Sequence, residues 1–366
     1  MKPAFLSICV GLTLAVQARC ESPPYRTDGG DEKLAWYQLK PGEFPPADAA
    51  HSMGISLLTI HPPGRRGEFR EKANLYYKAP ITSFALLPAA TVRRHGAPAD
   101  LRDFSPGAHV WVGAFQNQDR QKFHQIWTLS DDFSRDVATG SRWEVTALNL
   151  DRRRVTLVRV TAGQKEKPRD VVVDPRTTFW KGTGFGNRTD LAVGRQVLVN
   201  FGPGTVSLPF IDLLTDVWLD EESVHFATER QSARTLFELR RRGLPVRVDA
   251  VNNHDPELTL TFMDPGFPGL LDLFVTGKIC KIAVADSALR TYQPAGGQGG
   301  PDSFNGKIIA HREVPKVQGC AGLQIVVKPK YLVEGFRPGR SLRLMDEKSN
   351  FQILPPEERR LKNWWD

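Results

Sequence analysis

The sequence predicts a mainly β protein: tandem small β-barrel modules with one inserted helix of about 20 residues. Three observations predict it. The 366 residues carry 27 prolines and 31 glycines spread along the chain. Both residues punctuate regular structure, so their density implies many short elements between turns. A repeated Gly-led pattern marks strand entries, and hairpins with Asn, Asp, Gly or Pro in their connections precede three of its copies.

The repeat is longest in two gap-free segments. Phe84-Ala-Leu-Leu-Pro88-Ala-Ala-Thr91 runs on to Phe104-Ser-Pro-Gly107-Ala-His-Val110-Trp-Val112. At the same spacing, Val171-Val-Val-Asp-Pro175-Arg-Thr-Thr178 runs on to Leu191-Ala-Val-Gly194-Arg-Gln-Val197-Leu-Val199. The ending recurs at Phe274-Val-Thr-Gly277, followed by Cys280 and Ile282, and at Phe336-Arg-Pro-Gly339, followed by Leu342 and Leu344. The Gly permits a turn that a side chain hinders. Residues three and five beyond it share one strand face, so they point into a core. The Phe or Leu before the turn plugs the barrel end.

The elements follow in order. Residues 1–18 read as a signal peptide: Lys2 is the charged start, Phe5 to Val16 is an apolar run too short to span a bilayer, and Val16 and Ala18 flank a cut after Ala18. The chain is therefore expected to be exported, periplasmic or extracellular, with no transmembrane segment after signal removal. Residues 19–52, rich in Pro, Gly, Asp and Ala, read as a linker. Module one takes residues 53–140. Module two takes 141–202, with a hairpin from Val145 to Val160 turning at Asp151-Arg152-Arg153-Arg154. A helical connector follows at 203–245: Asp220 is its N-cap, Glu221 and Glu222 fill the first turn, and Phe226, Ala233, Leu236 and Phe237 form an apolar stripe. Arg240 to Arg242 fill the last turn, and Gly243 and Pro245 stop it. It is placed between modules two and three. Module three is 246–298, module four is 299–354, and 355–366 is a C-terminal tail. Each module has the strand count of a small closed barrel, which leaves no exposed edge.

The chemistry is sparse. The net charge of +8 comes with basic clusters at Arg65-Arg66, Arg93-Arg94, Arg152-Arg153-Arg154 and Arg240-Arg241-Arg242. These suit an anionic glycan, lipid headgroups or nucleic acid, or simply solvated turns and helix ends. Trp111 and Trp180 occupy equivalent regions of modules one and two. Strand alternation turns Trp111 away from the core, as a ligand platform or an inter-module contact. Trp111, Trp180, Arg152, Arg153 and Arg154 are thus the candidate binding surface. In an exported chain Cys280 and Cys320 are the natural disulfide pair; the competing state is a reduced Cys280 in the core. No catalytic, cofactor or metal residues stand out. The histidines lack metal-ligand spacing, His254-Asp255 with Glu257 reads as a solvated turn, and Gly182-Thr-Gly184-Phe-Gly186 reads as a loop without the Lys-Ser/Thr ending of a phosphate site. Asp131-Asp132 and Glu221-Glu222 read as solvated turn and helix-start acids.

The Val145–Val160 hairpin, Val171-Val-Val-Asp-Pro-x-Thr and Leu191-Ala-Val-Gly194, with an echo from Leu289-Arg-Thr-Tyr292 to Phe336-Arg-Pro-Gly339, carry a resemblance. Across residues 53–354 the chain resembles the tandem OB-like small-barrel modules of secreted bacterial proteins of planctomycete type. The resemblance implies the barrel fold, no established activity and no functional residues. The expected function is exported, non-enzymatic binding or scaffolding, for glycans or other polyanions. The alternatives are an extracytoplasmic hydrolase whose acid and base converge only in three dimensions, and a structural envelope component.

Overall fold

The computed structural model describes residues 37–39, 43–62, 65–71, 80–116, 123–149, 151–202, 212–284, 303–333 and 335–349. The signal segment 1–18, the tail 355–366 and the Leu289–Tyr292 echo lie outside them. The first barrel is built from β1 (His51–His61), β2 (Arg66–Glu71), β3 (Thr82–Arg94), the short β4 (Ala97–Pro98), β5 (His109–Gln116) and β6 (Phe123–Asp131). The ring runs β2-β1-β5-β6-β3 and closes through β2–β3. A helix, α1 (Asp132–Thr139), leads into the second barrel: β7 (Ser141–Asn149), β8 (Arg154–Thr161), β9 (Gln164–Lys165), β10 (Arg169–Lys181), β11 (Gly184–Phe185), β12 (Gln196–Gly202) and β13 (Asp212–Trp218). Its ring, β8-β7-β12-β13-β10, has the same order and closes through β10–β8.

In both barrels the long third strand pairs in parallel with the last one and jumps register at one place. The ladder passes from Leu86 to Thr91 on β3, and from Val173 to Thr178 on β10. Pro88 and Pro175 sit inside these gaps. Proline has no N–H to give a ladder, so the strand detaches where nothing is lost by it. This accounts for the matched Pro-to-Thr segments of the repeat.

All four Gly-led copies have one local geometry. Gly107, Gly194, Gly277 and Gly339 have φ of 86°, 85°, 91° and 81°. Each donates its N–H to a strand residue whose own N–H returns to the residue after the Gly. The partners are Leu57 (2.8 and 3.0 Å), Val145 (2.7 and 2.9 Å), Ile308 (2.8 and 2.9 Å) and Val248 (2.7 and 2.9 Å). Every partner lies at a β-bulge of its strand, and a bulge bends the strand enough to curl it into a small barrel. Phe104, Leu191, Phe274 and Phe336 are buried, as are Val110, Val112, Val197, Val199, Cys280, Ile282, Leu342 and Leu344.

The expectation of four barrels needs correction. After α2 (Glu221–Arg242), modules 246–298 and 299–354 form one closed barrel of β14 (Leu244–Asn252), β15 (Glu257–Met263), β16 (Ile279–Val284), β17 (Ser303–Glu313), β18 (Cys320–Pro329) and β19 (Ser341–Asp346). The ring is β14-β15-β18-β17-β16-β19. The two copies exchange strands: β16, led by Gly277, pairs with the later hairpin strand β17, and β19, led by Gly339, pairs back with β14. A hairpin plus one strand is too few to close, so two such halves share one core. The boundary at 202 also moves, because β13 closes the second barrel from inside the supposed helical connector. The 19–52 linker is docked at its end: Ala49 is buried and Phe44 packs beside it.

The Cys280–Cys320 disulfide is absent; both thiols are free and buried. Cys280 points into the third barrel's core, where burial pushes its thiol up to about 12. The Cys320 sulfur instead accepts the Gly322 N–H at the start of its own strand at 3.5 Å. Helix α2 begins and ends as expected, with an Asp220–Ser223 capping box and Gly243 at φ 82°. Its expected apolar stripe is not its buried face. Phe237 is exposed, and the buried residues are Ser223, Ala227 and Gln231. The helix docks on the β3–β4 turn of the first barrel by hydrogen bonds: Thr228 Oγ1 to the His95 carbonyl (2.8 Å) and Thr235 Oγ1 to the Pro98 carbonyl (2.6 Å). Leu236 and Leu239 pack on the third barrel's core, so α2 bridges all three barrels.

Candidate functional site

The candidate residues fall in three places. The first is the junction of the first two barrels with α1. Asp131 and Asp132, read from sequence as solvated, are buried there. Asp131 caps α1 through Ser134 N (2.9 Å) and accepts from Asn200 Nδ2 (3.1 Å) and His95 N (3.2 Å). Asp132 accepts from His109 Nδ1 (3.0 Å), Trp111 Nε1 (2.8 Å) and Phe201 N (3.1 Å). Burial alone would raise the Asp132 carboxyl; the His109, Trp111 and Phe201 donors outweigh it and hold the group below its ordinary value. The Asp132–His109 pair has the form of a base with its orienting acid. Yet His109 Nε2 is buried without a hydrogen-bond partner, and a Cβ on Gly54 would come within 3.1 Å of it. The pair ties β5 to α1. Trp111 belongs to this junction, with the Arg135 guanidinium 3.5 Å from its ring centroid.

The second place is a groove on the second barrel, of about 550 Å³, between the β7–β8 turn, the bend of β10 and the turn through β11. Arg153, Arg176, Arg188 and Phe185 line it. Arg152 and Arg154, both exposed, flank Arg153 in its turn. The Arg153 carbonyl accepts Val173 N at 2.9 Å, which fixes that turn against the bend. The carboxylate in the groove wall, Asp174, is held by Arg176 Nε at 2.9 Å; that hydrogen bond, first of its causes, keeps the acid below its ordinary value. Phe185 is 78% exposed and lies 4.8 Å from Trp180, which donates Nε1–H to Asp216 (3.3 Å). The structure thus places Trp180 beside this groove with Arg153, and Trp111 away from it. Phe185 was missed from the sequence. Its signal was there: an aromatic between Gly184 and Gly186 has no neighbouring side chains to cover it.

The third place is a cavity of about 220 Å³ between the first barrel, α2 and the third barrel. Arg65, Arg102 and Arg234 reach it, paired with Asp100 (3.8 and 3.3 Å) and Asp103 (3.1 Å). Among the described residues no cluster of three His, Cys, Asp or Glu could hold a metal, and no helix is long and apolar enough to cross a membrane.

These features define a class: a chain of three small closed barrels, two of them with OB-like topology, carrying a basic and aromatic groove. No protein-family model matches the sequence, and no curated protein matches it either. Among solved structures, the crystal structure of Ag(I)CusF is similar to a part of it, with 18% identity over 22% of this chain and 95% of that chain. The TM-score is 0.16, and no residue correspondence is drawn from it.

Proposed function

We propose that the chain is an exported, non-enzymatic binding or scaffolding protein, akin to secreted planctomycete-type barrel proteins, and that its second barrel takes an anionic polymer such as an acidic glycan. The supporting observation is Phe185, exposed among Arg153, Arg176 and Arg188. OB-like barrels bind oligosaccharides and oligonucleotides across their second and third strands and the adjoining loops, and Arg153 lies in the turn entering the second strand. Exposed aromatic faces stack on rings while guanidinium groups grip sulfate, phosphate or carboxylate. Export rests on the charged start, the short apolar run and the Val16-x-Ala18 site.

Heparin affinity chromatography tests the reading. The protein should be retained at low salt and released as ionic strength approaches a few tenths molar, where the Debye length falls well below about 10 Å. Phe185→Ala with Arg188→Ala should elute markedly earlier, at unchanged thermal stability because both side chains are surface groups. Passage of the wild type without retention would remove the polyanion reading and leave the structural envelope role.

A further inference from the structure

The cavity between the first barrel, α2 and the third barrel is built differently from the groove. Its lining holds six guanidinium groups against four carboxylates. Those carboxylates are already engaged. Asp100 faces Arg65 and Arg102, Asp103 faces Arg234, Glu238 pairs with Arg242 at 2.7 Å, and Asp264 accepts the Gly266 N–H at 2.8 Å. The excess charge in this space is positive.

One buried hydroxyl in it has no hydrogen-bond partner. Ser341 is 5% exposed, and its Oγ makes no hydrogen bond. Ser341 and Arg343 open β19 just beyond the Gly339 turn. Alternation sends Leu342 and Leu344 into the barrel, so Ser341 and Arg343 face outward, into the cavity. Arg343 Nη1 donates to the Arg242 carbonyl at the end of α2 (2.9 Å), which holds the guanidinium in place. A buried hydroxyl left without a partner costs free energy, and such a group calls for an explanation. Apolar residues make up most of the remaining wall, among them Pro88, Ala89, Pro98, Leu239, Met263 and Pro265.

We propose that this cavity is a binding site for a small organic carboxylate. Ser341 Oγ–H donates to one carboxylate oxygen, the Arg343 side of the cavity supplies the opposing charge, and the proline and alanine wall takes the hydrocarbon body. A guanidinium fork matches a carboxylate better than it matches a neutral group. The volume lies below the range of about 300–1,000 Å³ usual for drug-sized ligands, so the ligand is small.

Titration calorimetry on the intact protein tests this with acetate, propionate and benzoate, and with benzylamine and inorganic phosphate as controls. At least one carboxylate should bind saturably, benzylamine should not bind, and phosphate should bind more weakly than the best carboxylate. Ser341→Ala removes an unpaired hydroxyl, so it should fold at least as stably as the wild type while binding the carboxylate about tenfold more weakly, the effect of one lost hydrogen bond to a charged group. Its heparin retention should not change, which separates this site from the groove. The proposal is overturned if no carboxylate binds, if Ser341→Ala binds as the wild type does, or if benzylamine or phosphate binds as tightly as the best carboxylate.

Discussion

His95 shows how the junction between barrels constrains a single side chain. It sits in the tight β3–β4 turn at φ 50°, its ring 5.0 Å from Trp218 and 5.5 Å from Phe133. Burial lowers its pKa to about 4; the Asp131 carboxylate opposes that shift, and Arg94 and Arg230 add to it. The folded value lies below the ordinary one of about 6.5, so as pH falls the unfolded chain takes the proton first. Stability is therefore fully present above about pH 7 and is lost between about pH 6.5 and 4. The loss is about 1.4 kcal/mol per pH unit, or on the order of 3 kcal/mol in all. Asn is the replacement that tolerates this left-handed backbone and does not titrate. Urea unfolding at pH 7 and pH 4.5 should show a large drop for the wild type and a smaller one for His95→Asn. Some slope should remain, because burial also lowers His124. Equal slopes in the two proteins would refute the assignment.

At the scale of the element, the unit that repeats is a bulged strand, a plug residue, a Gly turn and an inward-alternating strand. Its cost and its yield separate cleanly at Gly194 and Leu342. No atom lies within 4 Å of where a Gly194 Cβ would stand, so Gly194→Ala touches nothing and reports backbone conformation alone. The expected loss is about 1–2 kcal/mol, the penalty of a left-handed residue with a Cβ. Leu342 is fully buried in the third core, so Leu342→Ala should lose about 2–5 kcal/mol through transfer and cavity. Chemical denaturation of the two variants gives both numbers. A Gly194→Ala protein as stable as the wild type would mean that the turn relaxes and does not set the strand entry.

Across the whole molecule, what was legible in the sequence was local. The Gly turns, the inward pairs at three and five residues beyond them and the ends of α2 follow from rules that act within a few residues. Three things were not legible because they depend on distant partners. The buried face of α2 is Ser223, Ala227 and Gln231, which pattern reading takes for a solvated side; Ser223 is held in the Asp220 cap, Ala227 packs on Phe133 and Trp218, and Gln231 donates to Asp103 of the first barrel. Asp131 and Asp132 are buried because another barrel reaches them, Asn200 Nδ2 donating to Asp131 and the Phe201 N–H to Asp132. The number of barrels was misread because a copy of the repeat supplies one hairpin and one strand, and nothing in the copy says which hairpin its strand joins. This exchange has a direct test. A chain ending at residue 298 would keep a whole third module if copies closed separately. In the observed topology it loses β17, β18 and β19, so β14 and β15 have lost their ring partners β19 and β18. Hydrogen exchange on the shortened chain should show the amides of Val246 to Met263 unprotected, while those of the first two barrels stay protected as in the full chain. The barrels close on their own strands, and short unclosed sheets are marginal in water. Protection at Leu258 and Leu260 equal to that in the full chain would mean that the third module closes alone, and the shared six-stranded barrel would have to be abandoned.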